Sequence, residues 1–149
     1  EVVATGWSGY TTWVLTDDGT ITFSPTEERF DGKCNMANYH KVNGVLSLPW
    51  DAYAEQITRV VIEEGINAVG QMAFYELPNL VEVVLPESIG EVRNYAFKNV
   101  TSLTTINLEA AESIREGAFY GCSGLENVTF AQGVTIEDWA FFKTPVVLP

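Results

Sequence analysis

From residue 55 onward the apolar positions follow a fixed phrase. An apolar residue is followed by two free positions, a second apolar residue, one free position and a third. The phrase reads Ile57, Val60, Ile62; Leu80, Val83, Leu85; Leu103, Ile106, Leu108; and Leu125, Val128, Phe130. Three positions beyond each copy stands a small residue, Gly65, Ser88, Ala111 or Gly133. A β-branched residue follows, Val69, Val92, Ile114 or Ile136. The dipeptide Ala-Phe closes each copy, at Ala73-Phe74, Ala96-Phe97, Ala118-Phe119 and Ala140-Phe141, with spacings of 23, 22 and 22 residues. Every register is filled four times, which marks an internal repeat.

The alternation in each phrase predicts a short strand with apolar side chains inward and variable ones outward. The small residue predicts a tight corner, and the Ala-Phe segment a short helix or helical turn whose Phe fills the interior. One such unit cannot bury its own apolar edge. Stacked units can, at about 4.8 Å per turn along a parallel sheet. The pattern therefore predicts an α/β repeat, a solenoid of about four 22–23-residue turns over residues 55–149. The step from small to β-branched residue is four positions in the first two copies and three in the last two. A deletion confined to a loop leaves the stacked strands in place.

Residues 1–54 lack the repeat and are expected to form an N-terminal β-hairpin cap in the same structural domain, because a solenoid needs its end turn covered. Thr11–Leu15 and Thr20–Phe23 flank Asp17-Asp18-Gly19, a hairpin signal. Thr26–Asn43 reads as an irregular loop, and Leu48-Pro49-Trp50 leads into the first repeat. At the other end, Val146-Val147-Leu148-Pro149 repeats Val83-Val84-Leu85-Pro86 after a shortened connection and reads as a curtailed strand.

These residues resemble the BspA-like leucine-rich-repeat family of bacterial surface proteins. Gly117-Ala118-Phe119-Tyr120-Gly121-Cys122-Ser123-Gly124-Leu125 is similar to that family's turn segment, and Val84-Leu85-Pro86-Glu87-Ser88 to its strand exit. The common leucine-rich repeat places Asn at the corner, whereas this chain has Gly65, Ser88, Ala111 and Gly133 there, as the bacterial subclass does. The resemblance implies a right-handed leucine-rich-repeat-like solenoid. It also implies a secreted or cell-surface bacterial location, adhesion to host or neighbouring-cell proteins, and no metal or cofactor.

Composition narrows the partners. Apolar residues make up 46% of the 149, enough for one packed core, and charged residues only 19%. The formal charge is −12, from 20 acids against 8 bases, which argues against nucleic acid and against docking on an anionic membrane. No apolar run is long enough for a membrane span, so direct insertion is not expected of this segment. The chain opens at Glu1 with no Met and no apolar leader, as a trimmed or mature form would.

Residue types suited to catalysis are sparse. His40, in the cap loop, would have to serve any Ser-His or Cys-His system and reads as a solvated loop residue. Gly6-Trp7-Ser8-Gly9 is not a nucleophile elbow, since its second Gly comes one position early. Cys122 occupies the inward register of Leu77 and Val100, about three turns from Cys34, too far for a disulfide. Neighbouring acids such as Glu63-Glu64 and Glu137-Asp138 read as a solvated edge rather than a glycosidase pair. Asp17-Asp18-Gly19 reads as a turn rather than a calcium loop. No Cys or His pair has zinc-ligand spacing. An enzyme is therefore not expected.

Two surfaces remain as candidates. The outward positions of the repeat strands, Arg59 and Val61, Glu82 and Val84, Thr105 and Asn107, Asn127 and Thr129, should form two ladders across four strands. They would make a ligand surface on the concave face. The cap aromatics Trp7, Tyr10, Trp13, Tyr39, Trp50 and Tyr53 either cover the first coil or form a rival patch. The chain is expected to be a non-catalytic binding module for an extracellular protein or glycan. The alternative is a structural spacer or assembly segment of a larger surface protein.

Overall fold

The computed structural model describes residues 1–26 and 34–149. Ten strands lie in two sheets. The hairpin signalled by Asp17-Asp18-Gly19 is present: β2 (Thr11–Thr16) runs antiparallel to β3 (Thr20–Pro25). Gly19 takes a left-handed φ of 86° and donates its N–H to the Thr16 carbonyl at 3.0 Å. The Asp18 carboxylate accepts the Thr16 hydroxyl at 2.6 Å and the Thr20 N–H at 3.0 Å, so this acid shapes the turn. An outer strand, β1 (Val2–Ser8), pairs antiparallel with β2.

A 3-10 helix at Asp51–Gln56 precedes the strands of the four-copy phrase. Its first strand, β4 (Arg59–Ile62), pairs in parallel with β3, so hairpin and repeats share one sheet. β6 (Glu82–Val84) and β8 (Thr105–Ile106) continue it in parallel, giving the order β1-β2-β3-β4-β6-β8. The β-branched registers form a second, parallel sheet from β5 (Ala68–Val69), β7 (Glu91–Val92), β9 (Ser113–Ile114) and β10 (Thr135–Ile136).

Three coils carry both strands. The fourth carries β10 alone, and its first phrase is reduced to a bridge between Leu108 and Phe130. The expected four equal turns are thus three complete ones and a partial one. Among the described residues the last phrase pairs only through that bridge.

Alternating side chains of the first sheet, the β-branched residues of the second and the Ala-Phe pairs enclose one core. Phe74, Phe97 and Phe119 are fully buried and stack in sequence. Their ring centroids are 5.3 and 5.2 Å apart, and Phe141 follows at 5.1 Å, with interplanar angles of 20°, 7° and 10°. This offset parallel stacking follows the rise between coils. Trp50 heads the column 5.7 Å from Phe74 and donates its indole N–H to the Ala73 carbonyl at 3.2 Å.

The Ala-Phe segments are not helical, so the helical half of the expected α/β repeat is absent from the described residues. Two features explain this. Phe74, Phe97 and Phe119 donate their N–H groups to Ala96, Ala118 and Ala140 of the next coil, each at 2.8 Å, instead of back along their own segment. Left-handed residues also bracket each segment: Met72 and Glu76, Tyr95 and Asn99, Gly117 and Gly121, Trp139 and Lys143. A right-handed helix cannot run between two such positions four residues apart. The segments are chained turns with bonds such as Ala73 N–H to Gly70 O at 3.2 Å.

The expected loop Thr26–Asn43 is described only in part, because residues 27–33 lie outside the described residues. Over 34–43 it has no regular strand and touches the repeat through a bridge between Cys34 and Ile66.

Candidate binding surface

Six of the eight outward residues come together. Arg59, Glu82 and Thr105 lie opposite one another in the parallel register, as do Val61 and Val84. Asn107 follows β8 directly. Asn127 and Thr129 are exposed, but they lie on a segment that forms no strand, so the two ladders span three strands rather than four. The cause is the incomplete fourth coil.

Two positions on this face are already engaged. Arg59 Nε lies 2.8 Å from Glu82 Oε1, an exposed cross-strand pair of small net value. Asn107 turns its amide onto the backbone of the preceding coil. Its Oδ1 accepts the Leu85 N–H at 2.7 Å and its Nδ2 donates to the Leu85 carbonyl at 2.8 Å. The side chain imitates one rung of the sheet where regular pairing stops.

The face extends further than the repeat. Parallel pairing of β3 with β4 sets Thr20 beside Arg59 and Thr22 beside Val61. Antiparallel pairing carries the same face to Val14 and Thr12 on β2, then to Thr5 and Trp7 on β1. Trp7 is 67% exposed. One continuous side of a six-stranded sheet therefore runs from Trp7 to Thr105. The alternation in Thr20-Ile21-Thr22 is the signal that could have placed these threonines outward. Nothing local, however, shows that the hairpin joins the repeat edge to edge.

The six aromatics expected in a cap divide. Trp13 and Trp50 are buried, with Trp50 edge-on to Phe23, Trp13 and Tyr39. The half-buried Tyr39 shares a 2.6 Å hydrogen bond with the buried Ser8 hydroxyl. Trp7 and Tyr10 alone of the six are exposed, so no single aromatic patch forms.

Groups weighed for chemistry are placed as follows. His40 is exposed in its loop. Glu63 accepts the Ser24 hydroxyl at 2.6 Å, Glu64 the Glu87 N–H at 3.1 Å, and Glu137 the Glu116 N–H at 3.0 Å. These acids tie neighbouring coils together. Both cysteines are free and buried, and burial pushes the Cys122 thiol up to about 12. On the second sheet, Glu91 binds Arg93 at 2.6 Å and Arg115 at 2.9 Å, and Arg115 reaches Glu137 at 3.3 Å. Burial raises the Glu91 pKa, but the hydrogen bonds and charges of the two guanidiniums outweigh it and hold the carboxyl below its usual range. Among the described residues no cluster of His, Cys, Asp or Glu could hold a metal ion, and no helix is long and apolar enough to cross a membrane.

The coil geometry matches solved leucine-rich-repeat structures. A protein from Eubacterium ventriosum superposes with a TM-score of 0.66 at 20% identity, over 97% of this chain and 45% of that one. The Treponema pallidum leucine-rich repeat protein gives 0.61 at 23% identity, over 94% and 69%. The pneumococcal vaccine antigen PcpA gives 0.54 at 13% identity, over 97% and 43%. At these identities the likeness is one of fold, and this chain spans less than half of the first and third proteins. No curated protein matches the sequence. The family model for the BspA-type leucine-rich repeat region matches residues 30–147 with six copies. This chain belongs to the BspA-type leucine-rich repeat family.

Proposed function

We propose that the chain is a non-catalytic binding module that holds an extracellular protein partner on the outward face of its six-stranded sheet. Residues 55–149 act as the repeat body and 1–54 as its cap. Two contacts support that division: β3 pairs with the first repeat strand, and Trp50 sits on the first ring of the phenylalanine column. The observation that carries the binding reading is the continuity of the face. The half-buried Val14, Thr22, Val61 and Val84 lie side by side across four strands, with the exposed Trp7 beyond them. A rigid row of β-branched side chains bordered by an aromatic loses little entropy on contact. Family membership supports a bacterial surface location.

The test is a solid-phase screen of extracellular-matrix and plasma proteins. The parent runs beside a V61K/V84K variant whose fold is checked by circular dichroism. Saturable binding that the variant loses supports this reading, whereas binding the variant retains refutes the sheet face. The competing spacer reading is favoured by one observation: Arg59, Glu82 and Asn107 already spend their polar groups within the chain. A parent that binds nothing in the screen would favour it.

A further inference from the structure

The segment 34–50 carries a small hairpin of its own. Val42 and Val45 exchange both main-chain hydrogen bonds, at 2.8 and 3.0 Å. Asn43 and Gly44 make the turn between them, both left-handed, with φ 53° and 78°. Asn-Gly is the pair such a two-residue turn favours. Clefts open on both sides of the hairpin, one lined by Gly44 and Val45 with Tyr75, the other by Val42 and Val45 with His40. Asn43 and Gly44 are exposed, and the two valines are 61% and 62% exposed.

This asparagine differs from the others of the chain in two ways. It alone is followed by Gly. Its amide is also unheld, as is the Gly44 N–H: among the described residues neither has a hydrogen-bond partner. Asn67, Asn79, Asn99 and Asn107, in contrast, donate their amides to groups 21, 24, 23 and 22 positions away. A Cβ at Gly44 would meet nothing within 4 Å, so neither a side chain nor a neighbour shields the Gly44 nitrogen.

We propose that Asn43-Gly44 is a self-modification site, at which the asparagine is hydrolysed to aspartate and isoaspartate with water as the only co-reactant. The Gly44 nitrogen gives its proton to solvent base and attacks Asn43 Cγ. The N–Cγ bond forms, the Cγ–Nδ2 bond breaks, and Nδ2 takes up a proton and leaves as ammonia. The product is a cyclic imide. Water reopens it at Cγ to give aspartate, or at the main-chain carbonyl to give isoaspartate. Ring closure requires the turn to open, which breaks only two exposed hydrogen bonds and uncovers little apolar surface. Either product adds one negative charge to the formal −12. Aspartate still suits the turn. Isoaspartate adds a carbon to the main chain, so the two-residue hairpin no longer closes.

The experiment incubates the whole chain at pH 8 and 37 °C and follows each asparagine by peptide mass spectrometry. Methyl transfer by an isoaspartyl methyltransferase counts the isoaspartate. Residue 43 should convert at least about tenfold faster than any other asparagine. G44A, whose methyl shields the nitrogen, should slow the conversion by a similar factor, and N43S should abolish the methyl label. Trypsin should cut after Lys41 faster in the aged parent than in N43S aged alongside it, because the opened hairpin exposes that bond. Conversion of residue 43 no faster than that of the other asparagines would overturn the proposal. So would a methyl label that persists in N43S, or a G44A rate equal to the parent's. Equal cleavage after Lys41 in the two aged proteins would overturn the loss of the hairpin.

Discussion

The amide of Asn107 pairs with both main-chain groups of Leu85, accepting at 2.7 Å and donating at 2.8 Å. A residue that sequence alternation assigns to ligand contact is thus part of the coil-to-coil bonding. N107A should lower the unfolding free energy by about 1–2 kcal/mol, the net worth of two such bonds. N107D keeps the acceptor but sets a carboxylate against the Leu85 carbonyl, so it should not restore stability. Urea denaturation followed by tryptophan fluorescence gives both values, and an N107A midpoint equal to the parent's would refute the role.

Phe97 stands mid-column, fully buried, 5.3 Å from Phe74 and 5.2 Å from Phe119. F97A should cost about 3–5 kcal/mol, because the rings above and below are held by their own coils and cannot close the gap. F97L should cost less. Thermal unfolding of the two variants ranks them.

Gly117 and Gly44 separate two costs of an added methyl. Both have left-handed backbone, φ 61° and 78°. A Cβ at Gly44 meets nothing within 4 Å, whereas one at Gly117 collides with the Tyr95 ring. G44A should cost about 1 kcal/mol, the conformational part alone. G117A should cost clearly more. Equal losses would show that the Tyr95 ring moves aside freely.

Cys122 is buried, bonded to the Phe97 carbonyl at 3.0 Å, and its thiol is pushed up to about 12. At pH 8 the native protein should give no fast reaction of this thiol with Ellman's reagent, because the thiolate is the reactive form. Denaturant should release it. Rapid native labelling of Cys122 would contradict the buried placement.

Glu91 has its pKa depressed in the folded state. The stability it contributes is therefore present above the ordinary carboxylate pKa, near 4.5, and is lost as pH falls through the lower folded value. The urea midpoint of the parent should drop more steeply than that of E91Q below pH 4.5. Parallel curves would remove Glu91 from the acid sensitivity.

The sequence by itself determined the period, the inward registers, the phenylalanine column and the Asp17-Asp18-Gly19 hairpin. These depend on side-chain alternation and turn chemistry, which act over a few residues and recur. Only the tertiary structure decided the rest, because the deciding bonds join groups a whole coil apart. Phe97 donates to Ala118 rather than along its own segment, so a helix-like stretch becomes a chain of turns. β3 meets β4 in parallel, so the outward face of the repeat strands extends to Trp7. Asn107 turns its amide onto Leu85, while Asn127 and Thr129 fall beyond the last paired strand. Lys98 meets Tyr120 and Arg115 meets Glu91 through the stacking of coils. The periodic pattern fixes which side chains are buried, and the pairing of main-chain groups between coils fixes which of the others remain free to bind.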